Sequence, residues 1–533
     1  MIKNVINSLQ DPNFLKHCKT LTHLKQVHAF LIKTILAETP SAIGPLLSAA
    51  AISTHPAFFT YAQSIFRSVA QRNTFMYNTM IRGYLHSQKD QPLNSISCYL
   101  DMLGSGFVAN NFTFPPLIKA CSGLALPARL AVGLLVHAHV VKFGFGYDKF
   151  VMSALIEFYS VVGDLETARK LFDKSPQRDV VIWTALMDGY GKRGEVDVAR
   201  ELFDEMPEKN AASWSAMMAA YSRVSDFKEV LSLFEQMLET GTRPHESILV
   251  SLVTACARLG ALTQGMWVHS YAKRYGYESN TILGTAFVDM YSRCGCVDSA
   301  LSVFKHIGEK DSGAWNAIIS GVAMSGNAER SLQLFDEMVL YGTQPTAATF
   351  VALLASCTHA KLVNRGLAIF NQMSKIHGVE PQLEHYACVV DLLARAGMLV
   401  ESEHFIKKNL GGLQGGDANV WGALLSACRT YGNVEIANKV SKKLVEMGVR
   451  DYGAHVMSYN IYQEAGWETE AKRVRGIVSD GVMKKKPGCS LIEVDGVVHE
   501  FVAGGSHHRQ TQDINQVLDS LFRVVKLQIF RWA

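Results

Sequence analysis

The sequence predicts an all-α fold, a right-handed solenoid superhelix of antiparallel helix pairs, and three observations predict it. Trp214 in AASWSAMMAAY returns as Trp315 in SGAWNAIISGV, and Cys256 in SLVTACARLGAL returns as Cys357 in ALLASCTHAKLV, each 101 residues on. A displacement shared by unrelated landmarks marks an internal array, because a small helical unit has no core of its own and buries its apolar face on its neighbours. The displacement resolves into units of 35, 31 and 35 residues at 246–280, 281–311 and 312–346. Within VIWTALMDGYGKRGEVDVARELFDEMPEKN at 181–210, Val196, Ala199, Leu202, Phe203 and Met206 keep the helical period on one stripe. Gly194, just before that stripe, suits a left-handed helix end, so each unit reads as helix, Gly-containing turn, helix.

At 533 residues the chain exceeds what one compact core organises, whereas a stack of units extends in one dimension. No apolar run reaches the roughly 18 to 20 residues of a membrane span, and no membrane partner is expected. The most apolar stretch, Leu124 to Gly146, is broken by Arg129, His137, His139 and Lys142 and reads as a buried repeat. Of ten cysteines, Cys121, Cys256, Cys357 and Cys428 each follow Ala or Ser, which reads as a small buried residue at a fixed helix position and points to a reducing compartment. Cys294 and Cys296 form the one close pair. No second Cys or His pair stands near them at ligand spacing, so no metal or other cofactor is expected.

The formal net charge is +4, and from Ala471 onward ten Lys and Arg face six Asp and Glu, an excess equal to that of the whole chain. The repeats are therefore neutral overall. If they bind nucleic acid, counterion release is not the sole source of affinity and base contacts must contribute. A weakly charged solenoid equally suits a protein-binding scaffold.

The alternation of unit lengths, with WNAIISGVAMSGNAERSLQLFDEMVLYGTQP at 315–345 and NFTFPPLIKACSGL at 111–124, resembles plant pentatricopeptide repeat proteins of the mixed-length subclass, built of P, L and S repeats. The resemblance runs from about Leu15 to Arg509. It implies a short N-terminal segment at 1–13, a repeat array at 14–417, E repeats at 418–484, and an E+-like extension and tail at 485–533. A degenerate opening pair occupies 14–73, and units follow at 74–110, 111–148, 149–179, 180–210, 211–245, 246–280, 281–311, 312–346, 347–382 and 383–417. GGLQGG at 411–416 reads as a flexible insertion, lacking the Lys and Ser/Thr of a phosphate loop.

In this family each repeat reads one RNA base through the fifth residue of its first helix and its last residue. An Asp only accepts and suits the ring N–H of G or U, whereas an Asn also donates, to the bare ring nitrogen of A or C. The resemblance assigns Asn78 with Asn110 to a pyrimidine, Ser153 with Asp179 to G, Thr184 with Asn210 to A, Thr285 with Asp311 to G, and Asn316 with Thr346 to a pyrimidine. Ser215 with His245 leaves its base open. Pro115, Val250 and Val351 stand at the fifth position of the long repeats, and Ala387 at that of the last short one, where no hydrogen bond is offered. Ser, Thr and Asn early in a helix also serve as caps or solvated residues. Their recurrence in register beside Phe75, Phe150, Val181 and Ile282, which can hold a base between them, favours readout.

The resemblance implies a monomeric, sequence-specific single-stranded RNA-binding factor of an organelle. It would fix a cytidine for C-to-U editing while a deaminase-bearing protein is recruited in trans through the E region. Relatives that end in a cytidine-deaminase-like domain need a His-x-Glu and a Pro-Cys-x-x-Cys. None of the eighteen histidines has Glu two positions on, and no Cys-x-x-Cys exists, so the chain is not expected to be an enzyme. The 46 residues after Pro487 are expected to be too few for that domain. Cys489 reads as part of the PGCS phrase, and His499, His507 and His508 as surface or interface residues; Leu491 stands where the family extension commonly carries Trp. Two other functions remain open: RNA stabilisation, splicing or translation without editing, and a tetratricopeptide-type protein scaffold. Five Lys, one Asp and no Arg in the first 35 residues are acid-poor, as organelle presequences are, and the expected location is the mitochondrion, with the chloroplast as alternative.

Overall fold

The computed structural model describes residues 20–532, apart from 35–38, 54–55, 87–91, 176–177, 278–279, 411–417, 449–450, 480–487, 504, 506–507 and 509. The GGLQGG segment, Pro487, His507 and the N-terminal 1–13 segment lie outside the described residues. The chain divides into two compact units, Met1–Glu229 with Leu233–Arg243, and Val230–Ser232 with Pro244–Ala533.

The first unit opens with helices Leu21–Lys33, Pro40–Ala51 and Pro56–Ser68. Helix pairs follow: Thr74–His86 with Pro92–Gly104, Phe114–Ser122 with Ala128–Lys142, Lys149–Val162 with Leu165–Lys174, Val180–Arg193 with Val196–Glu205, and Ala211–Arg223 with Phe227–Glu239. The second unit continues with Glu246–Leu259 and Leu262–Arg274, Thr281–Arg293 and Val297–His306, Ser312–Met324 and Ala328–Leu340, Ala347–His359 and Val363–Lys375, and Leu383–Arg395 and Leu399–Leu410. Ala418–Tyr431 with Val434–Glu446, Tyr452–Glu464 with Glu468–Ser479, two strands, and helix Thr511–Trp532 complete it. Within each unit a first helix packs on its own second helix and on the first helix of the next pair, the α-solenoid arrangement that the sequence predicts.

Local chemistry sets the helix ends. Gly163, Gly194 and Gly260 end their helices with φ of 91°, 80° and 67°, a conformation that costs glycine nothing. The predicted stripe behaves as expected: Ala199, Leu202, Phe203 and Met206 are buried. One joint recurs between repeats. Phe172 meets Trp183, Phe203 meets Trp214 and Phe304 meets Trp315 edge to face, with centroids 4.7, 4.8 and 4.8 Å apart, the ring arrangement that the aromatic quadrupole favours.

The stretch Leu124–Gly146 differs from the buried repeat predicted for it. Its second helix buries Gly133, Val136 and Val140 but leaves Leu130, Leu134, Leu135 and Val141 exposed. A second helix in a solenoid has neighbours on one side only, so the apolar composition of its other side finds nothing to pack on. The cysteines follow the prediction: Cys121, Cys256, Cys357 and Cys428 are buried and free. Burial pushes the thiols of Cys121 and Cys256 up to about 12, so both stay protonated and inert.

One apolar core joins the helices on either side of residues 411–417. Val390, Ala394, Leu399 and Ile406 share one apolar cluster with Val420, Trp421, Leu424 and Val440. After it, β1 (Cys489–Val494) and β2 (Val497–Val502) form an antiparallel hairpin, with Cys489 opposite Val502 and Val494 opposite Val497. Asp495 and Gly496 turn it with φ of 50° and 77°, the paired positive angles of a two-residue Asp-Gly hairpin turn. The hairpin docks on helix Leu262–Arg274, whose N-cap, Ala261, has no side-chain acceptor. Both carboxylate oxygens of Glu493 accept from the Thr263 amide at 3.1 Å, and the Gln264 side chain donates to the Gly496 carbonyl. A residue 230 positions away thereby caps that helix.

Candidate nucleic-acid interface

The last residue of a repeat is the N-cap of the next first helix at Asp179, Asn210, His245, Asp311 and Thr346, whereas after Asn110 the cap is Thr113. Asp179 Oδ1 accepts from the amides of Val181 and Ile182 at 3.1 Å, Asn210 Oδ1 from Ser213 at 3.0 Å, and Asp311 Oδ1 from Ala314 at 2.8 Å. A cap spends one oxygen on the helix. What remains depends on residue type: Asp179 and Asp311 keep a second carboxylate oxygen, which only accepts, whereas Asn210 keeps an amide NH2, which donates. One backbone geometry thus presents opposite hydrogen-bonding characters at the same point.

The residue before each cap fixes the loop, a feature that sequence reasoning missed. The Arg178 guanidinium lies 4.7 Å from the Phe172 ring centroid while its Nε donates to the Phe172 carbonyl at 3.1 Å. The Lys209 ammonium lies 5.2 Å from Phe203 and donates to the Met206 carbonyl at 3.2 Å; that of Lys310 lies 5.4 Å from Phe304 and donates to the Ile307 carbonyl at 2.6 Å. Each cation binds a ring face and the carbonyl end of the preceding helix together. The signal was in the sequence, a Lys or Arg directly before Asp179, Asn210 and Asp311.

The fifth residues fall into two groups. Asn78 is 9% exposed; its Nδ2 donates to Asn110 Oδ1 at 2.9 Å and its Oδ1 accepts from the Thr113 hydroxyl at 2.7 Å. Asn316 repeats this, donating to Thr346 Oγ1 at 3.0 Å and accepting from the Thr349 hydroxyl at 2.5 Å. These two pairs are brought together directly. Among the described residues, Ser153 and Asp179, Thr184 and Asn210, and Thr285 and Asp311 make no hydrogen bond with one another. Thr184 Oγ1 donates back to the Val180 carbonyl at 2.7 Å, and the buried Thr285 hydroxyl has no hydrogen-bond partner. Ser153 and Ser215 are half-buried. His245 is an N-cap residue whose ring meets the Ser247 hydroxyl at 3.0 Å without capping the helix.

Beside the polar pairs stand exposed apolar side chains, one of them, Phe150, with the Lys149 ammonium 4.9 Å from its ring centroid. Phe75, Phe150, Val181 and Ile282, three residues before the fifth position, are more than half exposed. Phe112, at the same place in the long repeat 111–148, is 60% exposed and was not among the residues singled out from sequence. A flat apolar face one repeat from the next, with a polar pair between, suits stacking of a base and reading of its edge. Among the described residues no group of three or more His, Cys, Asp or Glu is placed to hold a metal ion, and no helix is long and apolar enough to cross a membrane. His499 Nδ1 lies 2.8 Å from His508 Nε2, a half-buried ring pair in the extension.

Fold and site together define a class: a repeat protein of helical hairpins in which most units present one polar pair at the helix start. The PPR repeat family matches residues 178–212 and 310–359, the PPR repeat matches 212–242 and 285–312, and the E motif matches 431–493. The chain is 38% identical to pentatricopeptide repeat-containing protein At5g48910 of Arabidopsis thaliana, across 97% of this chain and 82% of that protein. It is 44% identical to At5g66520 of the same plant, across 95% of this chain and 81% of the relative. The crystal structure of the pentatricopeptide repeat protein PPR10 from maize superposes with a TM-score of 0.48 at 17% identity, over 89% of this chain and 74% of that one. The chain belongs to the pentatricopeptide repeat family.

Proposed function

We propose that this chain binds single-stranded RNA in a sequence-specific manner inside an organelle and positions a cytidine for C-to-U editing, with the deaminase supplied by a partner protein through the region from about residue 418 onward. The observation that carries the RNA reading is the recurrence at Asp179, Asn210 and Asp311 of a cap that holds one side-chain atom and leaves a residue-specific second atom for a base edge. The E motif at 431–493 supports the recruiting role. Relatives named chloroplastic, such as At5g59200 and At2g42920, favour the plastid over the mitochondrion as the place of action.

The test exchanges one atom. Asn210→Asp keeps the Oδ1 cap but replaces the donating NH2 with an accepting oxygen. Preference at the nucleotide read with Thr184 should move from A toward G by about 1 to 3 kcal/mol. Unchanged relative binding of A- and G-containing RNAs would show the assigned register to be wrong.

A further inference from the structure

The residue one before each fifth position fills a seat against the second helix of the preceding repeat. Trp183, Trp214 and Trp315 fill it, and so do Tyr77, Phe114, Phe350 and Tyr386, each with its ring centroid 4.7 to 6.4 Å from an aromatic ring of that helix. Met152 and Leu249 fill it with buried apolar side chains. In the unit 281–311 the same place is Gly284, the one seat in 74–417 with no side chain to fill it.

Helix Leu262–Arg274 still offers its ring to that seat. His269 precedes Gly284 by 15 residues, the interval between Phe335 and Phe350, and its ring centroid lies 4.5 Å from that of Phe287. A Cβ on Gly284 would meet Ile307 Cγ1 at 3.0 Å, so Ile307 takes up part of the seat. The remainder is a cavity of about 390 Å³, within the size range of ligand pockets and wholly inside the second compact unit. Its floor is buried and apolar, with Leu283 and Phe287 beside Ile307, and its mouth holds the exposed Lys273, Ser302 and His306. The His306 ring is fixed there by donating from Nδ1 to the Ser302 carbonyl at 2.7 Å. Among the described residues no Asp or Glu lines the cavity, and no base-reading residue does.

We propose that this cavity binds a small planar aromatic molecule that bears a carboxylate. Its ring takes the seat that Trp315 and its counterparts fill in the other repeats, packed against His269 and Phe287 as those rings pack on theirs. Its carboxylate stays at the mouth, where Lys273 and His306 supply charge-assisted donors. The site lies between the second helices of units 246–280 and 281–311, apart from the residues that read bases. Occupancy joins these two repeats as a side chain joins the others, and a ligand that binds only the packed state stabilises it.

The probe is indole-3-propionate, titrated into the full-length chain by calorimetry, with amide hydrogen exchange followed on the same complex. One saturable site is expected, with exchange slowed in helix Thr281–Arg293. Indole, which lacks the carboxylate, should bind about tenfold more weakly. The double variant Lys273→Gln, His306→Gln changes exposed side chains and should weaken the probe by about tenfold while leaving indole as it was. Gly284→Trp fills the seat from within and should abolish binding of both, circular dichroism checking its helix content. Absence of saturable binding by the native chain at millimolar probe overturns the proposal. So does equal affinity for probe and indole, probe affinity unchanged in the Gln variant, or binding that survives in folded Gly284→Trp.

Discussion

Asn78 and Asn110, 32 positions apart, are joined side chain to side chain at 2.9 Å, and Thr113 closes the triangle by donating to Asn78 at 2.7 Å. Two residues assigned to one base are thus bonded to each other and to the opening turn of the next repeat. Asn316, Thr346 and Thr349 repeat the arrangement in the second unit. The fifth residue in these repeats ties successive units together, whatever else it contacts.

A consequence for stability follows from that triangle. Replacing Asn78 or Asn316 with Ala strands hydrogen-bonding groups at a buried joint, at an expected cost of about 1 to 3 kcal/mol. Ser153→Ala, at a fifth residue outside any such triangle, should stay within about 0.5 kcal/mol. Because a repeat array opens locally, amide hydrogen exchange of the flanking helices is the measurement. Equal protection in the three variants would show that the triangle contributes nothing.

The cap at Asp179 separates folding from reading. Asp179→Asn retains an Oδ1 acceptor for Val181 and Ile182 and should change stability by only a few tenths of a kcal/mol while turning the Ser153 repeat from G toward A. Asp179→Ala should lose about 1 kcal/mol and the base preference together. Stability by denaturant titration and affinity for G- and A-bearing RNAs are read on the same samples. A stable Asn variant that still prefers G refutes the assignment.

Where the chain is cut decides what a truncation reports. Removal from Ala418 onward would strip Trp421 and Leu424 from the core they share with Val390 and Ile406, so lost RNA binding there would report damage. Deletion of 488–533 spares that core. It should leave RNA affinity nearly intact and lower editing; full editing in the shortened chain would place recruitment within residues 418–487. Glu493→Ala in the full chain should speed exchange at the Thr263 amide severalfold, the modest effect of losing a half-exposed helix cap.

Acid should loosen the first unit. Burial holds the His137 imidazole, 2.7 Å from the Tyr159 hydroxyl, below its ordinary value, and burial does the same for His28. The unfolded chain therefore takes up protons first. The stability linked to these groups is fully present above the unfolded value of about 6.5 and falls as pH drops below it. A thermal midpoint that declines between about pH 7.5 and 5.5, less steeply in His137→Gln, is the expected record. An equal decline in both proteins would remove His137 as a cause.

The helical pairing and several helix ends were legible in the chain because they depend on local chemistry. A cap reaches two or three residues forward, a left-handed glycine acts on its own turn, and an apolar stripe recurs at the helical period. That is why Asp179, Asn210 and Asp311, each at the start of a first helix, stand at equivalent places in their repeats. Which of their atoms remained for a partner could not be read, since it depends on where Oδ1 points. The Asn78–Asn110 bond required the packing of one repeat on the next. The hairpin's hold on Thr263 lay furthest from the sequence, because helical periodicity is silent about a β-turn and about which distant amide lacks a cap. Tertiary structure decided these features, for the physical reason that each is a match between groups whose separation in the chain says nothing of their separation in space.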